Sequence, residues 1–335
     1  MAALMHVEGL KTAYKTRLGE YIHAVDGVSF DLQEGMQLGI AGESGCGKST
    51  LALSLMGFFF PPLTYISGEV VIDGQNIMTM PYEQLRTQIL GKELAYIPQA
   101  AMNALSPTKR VHQFVYDILK AHDLSVTRKK VMELLEERFA LLGLPARAIT
   151  AYPNELSGGM KQRVVIVTST ILNPKILIAD EPTSALDVTS QKQVMQMMRR
   201  MLQLGIVKSI VYITHELPLL RQITNDIMIM YAGEIVEHGS MEQTIFDPLH
   251  PYTRALMGSI VVPEGDAKSW KILSIPGAPP NLRNEIVGCR FKERCKYAGT
   301  HCQSCQGTVQ QLAPQGRMYR CDLDEKTLRE IYSHE

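Results

Sequence analysis

The stretch "GESGCGKST", residues 42–50, leaves the chain few architectural choices. It fits G-x-x-x-x-G-K-[ST] and stands between two apolar runs, "QLGIA" before it and "LALSLMG" after it. That context predicts a buried strand, a tight loop and a helix. Gly42, Gly45 and Gly47 let the backbone bend until successive N–H groups point inward at phosphate oxygens. The positive end of the helix starting near Lys48 adds to the cradle. Lys48 brings an ammonium for the β- and γ-phosphates, and the Ser49 hydroxyl can bind Mg²⁺. Glu43, Ser44, Cys46 and Thr50 complete the loop. Cys46 reads as a small filler rather than a reactive thiol.

"KILIADEP" supplies a second piece of chemistry. Four apolar residues predict a buried strand that delivers Asp180 and Glu181 at its C-terminal end, where ligands bind in open α/β sheets. Asp180 can hold Mg²⁺ through water. Glu181 is then free to orient or deprotonate an attacking water. A phosphate loop with an acidic strand end implies a nucleoside triphosphatase.

The rest of the chain alternates strand and helix. "HVEGLKTAY" and "AVDGVSFDL" read as half-buried strands, and "GEVVIDGQNI" as a hairpin about Asp73-Gly74. "LAYIPQ" is a buried strand closed by Pro98. The texture is helical over about 105–172, where "RKKVMELLEERFALLGL" should stop at Gly143. "KILIAD", "QKQVMQMMRRMLQLG" and "SIVYITH" form a strand–helix–strand unit, and "NDIMIMYAGEIVEHG" a hairpin. The class is α/β with a covered sheet. Near Pro263 the texture turns rich in Pro, Gly and charge, and five of the six cysteines follow. The expected division is therefore residues 1–260 and 261–335.

Composition adds what to exclude. Lys+Arg and Asp+Glu are equal at 34 each, so no net field draws the chain onto nucleic acid. The N-terminus lacks the basic-then-apolar pattern of a signal peptide, and the longest apolar run is broken by Pro61 and Pro62. A cytosolic location is expected, where structural disulfides are disfavoured.

Between the two chemical motifs lies "LSGGMKQR", residues 156–163. "SGG" opening a helix is a second N-terminus with exposed N–H groups, hence a second anion site. With this motif the chain resembles the ATPase subunit of an ATP-binding-cassette (ABC) transporter over its first 260 or so residues. The resemblance implies a RecA-like phosphate-loop core with an antiparallel β-subdomain and a helical subdomain, and ATP with Mg²⁺ as its ligands. It implies that Tyr14 stacks on adenine, with Tyr21 a nearby alternative. Gln99 in "YIPQA" looks like the glutamine that approaches Mg²⁺ and senses the membrane partner. Ser157, Gly158 and Gly159 are similar to the signature that closes over the γ-phosphate held by an opposite subunit. "SALD", ending at Asp187, resembles the loop that crosses the dimer seam, and His215 in "YITHE" the switch histidine at the γ-phosphate.

Beyond the cassette, "HPYTRALMGSI", "IPGAPPNL" and "GCRFKERC" resemble the C-terminal extension of the oligopeptide/dipeptide importer branch. In that branch four cysteines can hold a [4Fe–4S] cluster, here Cys289, Cys295, Cys302 and Cys321, with Cys305 an alternative third ligand. All-cysteine ligation suits iron–sulfur or zinc. The first two gaps, of five and six residues, are longer than zinc sites usually open with. A ligated centre would fix a tail whose own core looks thin.

The implied function is the ATP-hydrolysing motor of an importer of oligopeptides, dipeptides or a related solute. Oligosaccharide and nickel-chelate cargoes are alternatives. The implied partners are two permease subunits, a second homologous ATPase making a heterodimer, and, indirectly, an extracytoplasmic solute-binding protein. The implied location is the cytoplasmic face of the membrane. The rival class is a soluble cassette ATPase of translation or repair. Such proteins carry two fused cassettes or a long coiled-coil insertion, and this chain has one phosphate loop and no heptad run.

Overall fold

The structure is a computed structural model that describes residues 3–122, 124–259, 275–283, 286–304, 310–313 and 317–333. Its strands in chain order are β1 Met5–Lys15, β2 Tyr21–Leu32, β3 Gln37–Ala41, β4 Leu63–Ile72, β5 Gln75–Asn76 and β6 Leu94–Ile97. They continue with β7 Ile176–Asp180, β8 Ser209–Ile213, β9 Asp226–Tyr231, β10 Glu234–Ser240, β11 Gln310–Ala313 and β12 Arg317–Arg320. The chain resolves into two interleaved compact units. One comprises Met1–His6, Asp31–Gln37 and Val71–Ile213; the other Val7–Phe30, Leu38–Val70 and Thr214–Glu335. The division expected after residue 260 falls in a stretch outside the described residues.

In the first unit β6, β7 and β8 are parallel, with Ile178 of β7 opposite Tyr96 on one side and Val211 on the other. Every residue of β7 and β8 is buried, which is why both read as unbroken apolar runs rather than alternating ones. The tip of β4 turns into β5 through Asp73 and Gly74, both at positive φ, as the Asp-Gly pair predicts. The expected helical region holds helices Val111–Ala121, Arg128–Leu142 and Gly158–Ser169. Thr127 caps the second by accepting from the Lys130 N–H, and Gly143 ends it at φ 71°.

In the second unit β3 runs parallel to β9, and the expected hairpin β9–β10 is antiparallel. The tail then does something its composition did not announce. β12 pairs antiparallel with β10, placing Tyr319 opposite Glu237, and β11 pairs with β12. Leu249, Tyr319 and Leu328 are buried together, with Leu323 and Tyr332 packed against them. Arg317, 3% exposed, forms an ion pair with the fully buried Glu237, which also accepts the N–H groups of Leu249 and His250 at 3.0 and 2.9 Å. Removing one partner of such a pair is costly because it strands a buried charge. The tail is thus tied down by strand pairing and buried arginines. Among the described residues no helix is long and apolar enough to cross a membrane.

Candidate nucleotide site and cysteine nest

The phosphate loop is held by its own backbone and by Lys48. Lys48 begins the helix Lys48–Leu55, is buried, and donates from Nζ to the carbonyl oxygens of Gly42 and Glu43 at 2.8 and 2.9 Å. The loop glycines are dictated by close approach. A Cβ on Gly47 would stand 2.1 Å from the Ala24 carbonyl oxygen, and one on Gly42 the same distance from that of Met230. Gly47 also sits at φ 110°, where side chains are strained. The Gly233 N–H donates to the Cys46 carbonyl at 2.9 Å, tying the loop to the β9–β10 turn. Cys46 is buried, and burial pushes its thiol up against the pull of Lys48, which fits the filler reading. Ser49 is half-buried, and Ser44 and Gly45 are exposed. The Tyr14 hydroxyl lies 3.0 Å from Thr50 Oγ1, which holds this half-buried ring beside the loop helix. Tyr21, the other aromatic considered, lies under Lys15 and is partly exposed.

The first unit carries the acidic strand end. Asp180 is fully buried, and its Oδ2 accepts from the Tyr96 hydroxyl at 3.3 Å. Burial, and then the Asp180 charge, push that phenol well above its ordinary range, so it remains a donor. Glu181 sits at φ 47°, a strained conformation for a side chain of its size, and its N–H is pinned to the Ile213 carbonyl at 2.8 Å. Its Oε2 accepts from Gln99 Nε2 at 3.0 Å. Two residues 82 positions apart thus meet.

The same unit brings together the signature and the "SALD" loop. Ser157 caps the helix Gly158–Ser169, accepting from the Met160 N–H at 3.4 Å. Gly159 lies against Ser190, whose Oγ would be 2.5 Å from an added Cβ. Ser190 in turn donates to Asp187 from its hydroxyl at 2.6 Å and its N–H at 3.0 Å. Those bonds hold the exposed Asp187 carboxyl below its ordinary range. Ser157, Gly158 and His215 are exposed.

In the tail, Cys289, Cys295, Cys302 and Cys321 carry thiols rather than disulfides. Cys289 donates its N–H to the Cys302 carbonyl at 3.3 Å. Burial pushes Cys295 up to about 11, helped by the nearby Cys289 and Cys302. Cys321 rises to about 11 from burial, helped by Cys295 and Cys302. The four thiols therefore share one neighbourhood, and their chemistry suits a thiolate-held centre. Among the described residues, however, no three His, Cys, Asp or Glu side chains are arranged to hold a metal ion. Cys305 lies outside the described residues.

One functional contact escaped the sequence reading. Arg294, in the tail, forks onto Glu43 of the phosphate loop at 2.8 and 2.9 Å. The only hint was its place among the charges of "CRFKERC".

A phosphate loop, an acidic strand end and a glycine signature are the parts of an ATP-hydrolysing cassette, and comparison with known proteins agrees. The family described as ABC transporter matches residues 25–184, and the oligopeptide/dipeptide transporter C-terminal region matches residues 236–302. The dipeptide transport ATP-binding protein DppD of Caldanaerobacter subterraneus subsp. tengcongensis is 38% identical over 90% of this chain and 92% of its own length. The oligopeptide transport ATP-binding protein OppD of Bacillus subtilis is 38% identical over 88% of this chain and 82% of its own. A dimeric post-hydrolysis structure of the ATP-binding cassette MJ0796, bound to ADP and Pi, aligns with a TM-score of 0.62 at 25% identity. That alignment covers 71% of this chain and 98% of the other. The chain belongs to the ATP-binding proteins of ABC transporters, in the oligopeptide/dipeptide branch.

Proposed function

We propose that the chain hydrolyses ATP to drive uptake of oligopeptides or dipeptides through separate permease subunits, on the cytoplasmic face of the membrane. The observation that carries the proposal is the preformed phosphate loop, with Lys48 Nζ drawn in by two loop carbonyls at the head of a helix. The names of the relatives favour peptide cargo over oligosaccharides or nickel chelates. Membership of a transporter family favours transport over translation or repair; co-purification with permeases rather than ribosomes or DNA separates the two.

In this reading the loop N–H groups and Lys48 hold the phosphates, and Tyr14 stacks on the base. The Mg²⁺ donors are hard oxygens, as that ion demands: the Ser49 hydroxyl, Asp180 through water, and the Gln99 amide oxygen. Gln99 already donates its amide N–H to Glu181, which leaves the oxygen for the ion. Glu181 orients the attacking water and takes its proton, while His215 contacts the γ-phosphate. Ser157–Gly159 and Asp187 serve the nucleotide of a second cassette, a distinct homologue that makes the working pair a heterodimer. An extracytoplasmic solute-binding protein feeds the permeases. In the tail, residues 261–335, Cys289, Cys295, Cys302 and Cys321 would hold a [4Fe–4S] cluster, or zinc instead, whose contribution is to staple that segment.

Glu181→Gln tests the catalytic assignment. It should retain Mg-ATP binding and lose hydrolysis by ~10²–10⁴-fold. Undiminished turnover would overturn the role.

A further inference from the structure

The phosphate loop contains an acid that its task argues against. Glu43 is the second residue of the loop, directly after Gly42. Unscreened, a carboxylate carried on a loop that binds a polyanion repels the ligand. Its charge is answered from the far end of the chain. Arg294 is 5% exposed, against 24% for Glu43, and its NH1 and NH2 donate separately to the two Glu43 carboxylate oxygens. This is the bidentate arrangement that a guanidinium makes and an ammonium cannot.

Arg294 is itself held in place. Its Nε donates to the Pro276 carbonyl at 2.8 Å, and NH1 also reaches the Tyr231 hydroxyl at 3.3 Å. Its guanidinium lies within 5.9 Å of the rings of both Tyr231 and Phe291. Those rings pack on Tyr252, at 4.5 Å for Tyr231 and 5.4 Å for Phe291. Tyr252 completes the clamp by accepting the Glu43 N–H at 3.0 Å. Glu43 is therefore gripped by side chain and backbone from one aromatic cluster, part of which, Phe291, belongs to the tail.

We propose that Arg294 is a positioning residue for nucleotide binding: from the cysteine-bearing tail it neutralises Glu43 and fixes the first turn of the phosphate loop. The tail thereby completes the ATP site in cis. This rests on the phosphate-loop reading above, and the test separates the two.

The test measures Mg-ATP affinity by fluorescent-nucleotide displacement, with KM and kcat for hydrolysis, on the full chain. Arg294→Gln keeps most of the side-chain volume against Tyr231 and Phe291 while removing the charge. It should weaken Mg-ATP binding about ten-fold, the scale of one lost charge-assisted contact, and raise KM far more than it lowers kcat. Adding Glu43→Gln to that variant removes the stranded carboxylate and should recover most of the affinity, which repair of packing alone would not do. Arg294→Lys should fall between wild type and Arg294→Gln. Arg329→Ala loosens the tail at Asp247 without touching this pair, and should bind Mg-ATP as wild type does. Wild-type affinity in Arg294→Gln, or no recovery in the double variant, overturns the proposal. Failure of the wild-type chain to bind Mg-ATP would overturn the phosphate-loop reading and this pair with it.

Discussion

The phosphate loop and the cysteine nest are both places where distant parts of the second unit converge on a point, yet they are built on opposite principles. The loop is shaped by backbone. Gly42 and Gly47 admit main-chain oxygens of Met230 and Ala24 where any side chain would collide, and Lys48 is held by two carbonyls. Nothing in that geometry needs a ligand. The nest gathers side chains, and gathers them incompletely. Its four thiols feel one another's charge and burial, but no three are arranged to grip an ion. A cradle of backbone can be fixed by the fold itself, whereas a cluster of side chains is fixed only as far as packing restricts each rotamer.

The largest effect that would break this contrast is expected at the loop. Gly47→Ala forces a Cβ onto a main-chain oxygen that cannot rotate away, and overpacking of that kind costs ~1–3 kcal/mol. Falling on the loop, it should weaken Mg-ATP binding by roughly 10–100-fold in equilibrium titration. Unchanged affinity would mean that the loop is not preorganised. In the nest the complementary substitution is Cys295→Ser. After anaerobic purification the wild-type chain should carry iron and sulfide with visible charge-transfer absorption, and the variant should lose both. Amide exchange over residues 286–304 should speed up in the variant. A colourless wild-type chain loaded with zinc would replace the cluster with the other centre.

A smaller effect sharpens the point that the tail has anchors of its own. His250 is fully buried beside Arg320, and burial, more than that charge, lowers its pKa to about 3; its Nδ1 accepts the Tyr252 N–H at 3.0 Å. Folded, it stays neutral, whereas unfolded it titrates near 6.5. Stability from this group is therefore present above about 6.5 and is lost as pH falls from there toward about 3. His250→Asn keeps a capping acceptor, so denaturation midpoints should depend less steeply on pH between 6.5 and 4, with about 1–2 kcal/mol of the acid loss at pH 5 removed. An unaltered slope would assign the acid sensitivity elsewhere.

Much of the second unit's loop and most of both sheets were legible because their signals are local. Glycine spacing, the all-buried runs of β7 and β8, and Asp73-Gly74 each act within a few residues. The meeting of Gln99 with Glu181 was not legible, since no local signal joins residues 82 apart. The pairing of β12 with β10 was missed because "RMYR" alternates too briefly to read as a strand. The Arg294–Glu43 bridge was missed for a related reason. A buried ion pair spanning 251 positions looks, in sequence, like two solvated charges.

In the proposed function the nucleotide is clamped between two cassettes, each contributing what the other lacks. Light scattering of Glu181→Gln tests it most directly, alone and mixed with its partner ATPase. Saturating Mg-ATP should double the particle mass to that of a pair, and disrupting Ser157–Gly159 should reverse it. Single particles throughout, with wild-type turnover indifferent to dilution, would contradict it.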